Sequence, residues 1–225
     1  MSFVLNTLIA PNDIVGIVYA KLVGNTEFLV VGKSSCIEIY SLQGDQLKLE
    51  RTIDLYDNVS DIATIKLFKS RNVFLVVTTG SSKVFVIGFE TLQKEVLLEV
   101  FDLNTDGHDG SFSIQSNTLV VNQRDYLIGY FTLEGMVWFH EIDERISEME
   151  LQEFIQLKRK KKKSLFKKPS VISFPKNGRE ARTPMIVEKL STYDDGDEPF
   201  ILVLYRDDLF NYYLKTFIKK ENSLL

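Results

Sequence analysis

What the chain has little of narrows it first. Among 225 residues there is one cysteine, Cys36, so no internal disulfide can form. That fits a reducing compartment. There are two histidines, His108 and His140, 32 positions apart in sequence. With Cys36 they make no zinc spacing. Prolines number five and tryptophans one. No apolar run reaches the roughly 18–20 residues of a membrane-spanning helix. The start, Met1-Ser2-Phe3-Val4-Leu5-Asn6, lacks the basic beginning and long apolar stretch of a signal peptide, so no secretory leader is expected. No glycine-rich phosphate loop opens a helix, and no HExxH is present.

What is there is apolar and aromatic. The chain is 44% hydrophobic and 26% charged, with 16 Phe and 9 Tyr. That content excludes disorder of the whole chain. A chain of this length buries roughly 70–75% of its unfolded surface and needs no metal or disulfide to hold a core.

The formal charge of −4 conceals an asymmetry. Residues 158–169 hold eight basic side chains and no acid: Lys158, Arg159, Lys160, Lys161, Lys162, Lys163, Lys167 and Lys168. Setting these eight aside leaves 19 basic against 31 acidic residues, a body of −12. Like charges so close repel one another, so residues 156–170 are expected to form a flexible, solvated insertion. The run reads as a nuclear localisation signal. A charged loop without a specific role, or a contact to phosphates or anionic lipid, are the competing readings. The acidic body would repel nucleic acid everywhere except at this insertion.

Strand signals repeat along the chain. Phe28-Leu29-Val30-Val31-Gly32 is followed by Cys36-Ile37-Glu38-Ile39-Tyr40-Ser41-Leu42. The same order recurs in residues 74–79 and 84–89, in 126–131 and 137–142, and in 200–205 and 211–217. Turn residues such as Lys33-Ser34-Ser35 and Gly80-Ser81-Ser82-Lys83 lie between the members. A further strand precedes each pair, in residues 15–22, 61–68, 118–122 and 185–190. A more polar strand follows the first two pairs, in residues 47–55 and 95–103. Residues 144–157 suit either a helix, on the rough stripe Ile146, Met149, Leu151, Phe154 and Ile155, or an outer strand and linker.

Four strands in every ~40–50 residues is the period of a β-propeller blade. The prediction is an all-β, WD40-like propeller with about four blades in an incomplete ring. The basic insertion is expected between blades three and four.

Few residues suggest chemistry. Cys36 opens a strand and reads as a small buried hydrophobe. His140 alternates with Trp138 along a strand and reads as structural. Asp102-Leu103-Asn104-Thr105-Asp106-Gly107 matches the first half of a calcium loop, in which Asp102, Asn104 and Asp106 would converge oxygen ligands. Its twelfth position is Ser113 rather than a bidentate Glu, and strands flank it, so a turn is the first reading. The acidic patch Asp194-Asp195-Gly196-Asp197-Glu198 reads as a solvated turn before Pro199, or as a partner for the basic insertion. A propeller hydrolase using a metal on the Asp102-to-Asp109 loop is the enzymatic alternative. The expectation is no enzyme, no cofactor and no resident metal.

Several of these residues resemble a known family. Leu29-Val30-Val31-Gly32-Lys33 leading to Cys36-Ile37-Glu38-Ile39-Tyr40 looks like the opening blade of the damaged-DNA-binding protein large subunit. Residues 53–62 are similar to that family's link into its second blade, and so is the strand pair within residues 73–89. Val120-Val121-Asn122-Gln123-Arg124-Asp125-Tyr126-Leu127-Ile128-Gly129 falls where the family has valine–aspartate–proline before arginine–isoleucine–glycine, with Asn122 and Gln123 departing from it. The family includes the methyl-methanesulfonate-sensitivity protein, the cleavage-and-polyadenylation factor large subunit and a splicing factor 3b subunit. The resemblance implies that residues 1–225 are the N-terminal part of a first propeller in a multi-propeller scaffold. It implies a nuclear, non-catalytic adaptor joining a cullin-type ubiquitin ligase to substrate receptors in DNA repair. The alternative it leaves open is a scaffold in mRNA splicing or polyadenylation. It supplies no partner-binding residues.

Overall fold

The computed structural model describes residues 13–67, 73–104, 113–115, 118–123, 126–133, 135–147, 149–159, 164–173, 186–194, 199–206, 212–220 and 223–224. Its strands form four four-stranded antiparallel sheets, each in chain order. Blade one is β1 (Ile14–Val23), β2 (Thr26–Lys33), β3 (Cys36–Gln43) and β4 (Gln46–Asp54). Blade two is β5 (Val59–Lys66), β6 (Val73–Thr79), β7 (Lys83–Thr91) and β8 (Lys94–Asp102). Blade three is β9 (Val120–Asn122), β10 (Leu127–Thr132), β11 (Met136–Glu141) and β12 (Ser170–Ser173). Blade four is β13 (Ile186–Asp194), β14 (Pro199–Arg206), β15 (Tyr212–Lys220) and β16 (Ser223–Leu224). The first strands β1, β5, β9 and β13 neighbour one another in succession. That is the blade arrangement of a propeller, and the fold is all-β and propeller-like.

Hairpin turns follow local chemistry. Gly24 and Gly44 open the turns of blade one at φ +60° and +61°, where a side chain would be strained. In β6 the run Val-Phe-Leu-Val-Val-Thr-Thr is buried at every position. Its side chains alternate between two cores. Val73, Leu75 and Val77 pack into the blade one–two core, with Phe28, Val30 and Ile62. Phe74 and Val76 pack into the blade two–three core, with Tyr130 and Trp138. A strand covered on both faces must be apolar on both. Packing there is tight: a Cβ added at Gly88 would sit 2.7 Å from the Phe74 ring.

Blade three departs from expectation in one respect. Its outer strand is β12, which follows the basic insertion and pairs with β11. The helical reading of residues 144–157 holds: α1 (Glu144–Ser147) and α2 (Leu151–Arg159) occupy that stretch. Ile146, Phe154 and Ile155 of the predicted stripe are buried. The basic insertion therefore lies inside blade three, between its third and fourth strands, and not between blades three and four. The reason is geometric: the helical excursion leaves the sheet after β11 and returns to complete it.

Candidate functional site

The predicted localisation residues are divided by the fold. Lys158 and Arg159 end α2, and Lys167 and Lys168 lie on the return. Lys160, Lys161, Lys162 and Lys163 lie outside the described residues. The described ends of the expected flexible insertion are docked. Lys158 Nζ donates to Glu99 Oε1 at 3.0 Å and to the carbonyl of Leu98. Ser164 Oγ and the Leu165 amide donate to Glu99 Oε2 at 3.1 and 2.6 Å. One carboxylate on β8 thus ties Lys158 to Ser164 and Leu165. Beyond it, Leu165 and Phe166 are buried in the blade two–three core. The Leu165 carbonyl accepts from the Asp143 amide at 3.3 Å, and Lys167 Nζ reaches Glu141 at 2.8 Å. Apolar anchors and paired charges hold these described ends against blades two and three.

The calcium-loop candidates are only partly described. Asn104 N donates to Asp102 Oδ1 at 3.0 Å, the geometry of an Asx-type turn. Asp106, like His108, lies outside the described residues. Among the described residues no group of His, Cys, Asp and Glu gathers in a metal-holding arrangement. Of the acidic patch, Asp194 ends β13 and Pro199 opens β14; the residues between lie outside the described set.

His140 is fully buried. Tyr130 Oη and His140 Nε2 are 2.6 Å apart, while Nδ1 has no hydrogen-bond partner among the described residues. Phe101 and Phe166 pack against the imidazole, with centroids 4.4 and 4.8 Å away. Desolvation pushes His140 down to about 3, so the ring is neutral. Burial likewise raises the Tyr130 phenol well above its usual value. Cys36 is buried, and desolvation raises its thiol, the opposite of an activated nucleophile.

Between blades one and two an open cleft of about 810 Å³ is lined by Tyr19, Lys21, Asn25, Thr64, Lys66 and Gln123 among others. Gln123 fixes one wall. Its Oε1 accepts from Lys66 N at 2.6 Å, and its Nε2 donates to Lys66 O at 2.8 Å. A proline at this position could not offer that side-chain amide. Nearby, Asp61 joins blades two and three, accepting from the amides of Ile62 at 2.8 Å and Leu119 at 3.1 Å. Desolvation raises its carboxyl to about 6 against the lowering effect of those two bonds.

Among the described residues, the face of blade one turned away from blade two is partly exposed. Directly opposed residues share a face of a sheet. Tyr19, Leu29, Tyr40 and Leu49 are in register across the four strands, as are Ile17, Val31 and Glu38 across three. Tyr19 is 60% exposed, Ile17 56% and Leu49 47%, and Leu42 and Leu47 extend the row, whereas Leu29 and Tyr40 are half-buried and Val31 is buried. Within it Glu38 accepts from Lys33 at 2.7 Å and from the Tyr40 hydroxyl. Burial opposes its charge, but these bonds outweigh it and hold the carboxyl below its ordinary range. The sequence signals showed these strands but not this exposure, because exposure depends on whether another sheet lies alongside. No protein-family model matches the chain, and no curated protein matches it.

Proposed function

We propose that the chain is part of a non-catalytic propeller scaffold that presents surfaces to other proteins, resembling the adaptor between a cullin-type ubiquitin ligase and substrate receptors in DNA repair. The observation that supports this most is the succession of four-stranded blades in one propeller-like frame, on which surface residues keep fixed positions. The apolar rows of blade one offer area on that frame that a partner protein or a further sheet can cover. The shared cores of blades one, two and three supply the rigidity such a surface needs. The His140 pocket is sealed and neutral, which suits packing better than proton transfer. The basic run 158–168 would act as the nuclear import signal, with Lys158 and Ser164 both bonded to Glu99.

The test is co-purification with the full-length protein from cells. Recovery of a cullin-type subunit or its receptors supports the reading. Recovery of splicing or polyadenylation factors instead would assign the scaffold to RNA processing, and recovery of none of these would refute it.

A further inference from the structure

We propose that Ser164 is a phosphorylation site for a basophilic serine kinase, and that its phosphate holds open the latch that Glu99 makes between Lys158 and Ser164. Two independent observations meet at this residue. In sequence, Ser164 directly follows six consecutive basic residues, 158–163. A kinase with an acidic substrate groove is complementary to such a run. In the structure, Ser164 is exposed, and its hydroxyl donates to Glu99 Oε2 at 3.1 Å. The same hydroxyl accepts from the Phe166 amide at 3.2 Å.

The reaction is a phosphoryl transfer from a nucleoside triphosphate. A bond forms between Ser164 Oγ and the terminal phosphorus, the phosphoanhydride bond breaks, and the nucleoside diphosphate leaves. The hydroxyl proton passes to the kinase's base. The product carries a charge of about −1.5 to −2. The former donor can no longer bond Glu99, and a second anion stands beside its carboxylate. Lys158, now drawn to the phosphate, loosens from Glu99.

Access and effect are coupled. Leu165 and Phe166, directly after the serine, are buried in the blade two–three core. A kinase that grips an extended segment must first draw them out, so modification requires local opening of the latch. Once added, the phosphate opposes reclosure. The local charge of the basic run also falls, which weakens it as a ligand for acidic partners.

The test uses the whole chain with a purified basophilic serine kinase and ATP, read by intact mass and by mapping the phosphopeptide. Phosphate is expected on Ser164, and Ser164→Ala should remove it. Glu99→Ala, with a thermal melt to confirm folding, should raise the initial rate about tenfold, as expected for loss of a charge-assisted contact. In the phosphorylated chain, hydrogen exchange at the Leu165 amide should accelerate while β6 amides are unchanged. Phosphorylation only after denaturation, or only at other residues, would overturn the site. Phosphate on Ser164 with unchanged Leu165 exchange would overturn the latch. Hydrogen exchange on the folded wild-type chain supplies that second readout if Glu99→Ala does not fold.

Discussion

Blades one and two are built from nearly the same material and end in different situations. β2 reads Thr-Glu-Phe-Leu-Val-Val-Gly-Lys and β6 reads Val-Phe-Leu-Val-Val-Thr-Thr. In β6 odd and even residues enter separate cores, and every side chain is buried. In β2 only Phe28 and Val30 enter the shared core; the face bearing Leu29 continues through exposed Tyr19 on β1. An apolar strand therefore states that it can be covered on both faces. Whether it is covered depends on the sheets beside it.

The largest effect that separates the blades comes from truncating their aromatic residues. Phe74→Ala should cost about 3–5 kcal/mol, as for a fully buried ring. Tyr19→Ala should cost under about 1 kcal/mol. Urea unfolding of the two variants checks this, and equal losses would mean that blade one is as enclosed as blade two.

Acid reaches the two interior groups with opposite signs. The folded protein resists protonating His140 until about pH 3, whereas the unfolded chain takes that proton near 6.5. The unfolded state then binds more protons in that window, and stability falls as pH falls through it. Asp61 is raised to about 6, so its contribution is present at low pH and is lost as pH rises through 6. From pH 7 to pH 5 the histidine should remove ~2 kcal/mol and the aspartate return ~1 kcal/mol. His140→Gln should turn the net loss into a net gain of stability on acidification. Urea midpoints at the two pH values decide it, and an unchanged loss would contradict the buried neutral ring.

A smaller effect tests the seam between the blades. Arg51 donates to the Leu92 carbonyl at 2.8 Å and pairs with Glu95, both on blade two. Arg51→Met should cost about 1 kcal/mol by thermal melt, the scale of a partly exposed polar contact. Smallest of all, Leu49→Ser on the bare face should change stability by no more than about 0.5 kcal/mol.

The same contrast explains what the sequence disclosed. Continuous apolar runs such as residues 74–77, and the turns after them, carry local signatures, so the blade repeat was legible. The outer strand of blade three was not. It is four residues long, Ser-Val-Ile-Ser, and a helical excursion separates it from its partner β11. The docking of the insertion's described ends was hidden for a related reason. Its anchor, Glu99, lies on a different blade, and no local pattern links a glutamate in β8 to a serine beyond a lysine run. The strand that carries His140 was legible, whereas its partner Tyr130 on β10 becomes visible only with the pairing of β10 and β11.

The most direct test of the scaffold assignment compares partners recovered by the full-length protein with and without Tyr19→Glu and Leu49→Glu together. The wild type should bring down a cullin-type ligase subunit or its substrate receptors. The variant should lose them at an unchanged melting temperature. Equal recovery by both, or recovery of neither partner class by the wild type, would contradict the assignment of the blade-one face as the working surface of a scaffold.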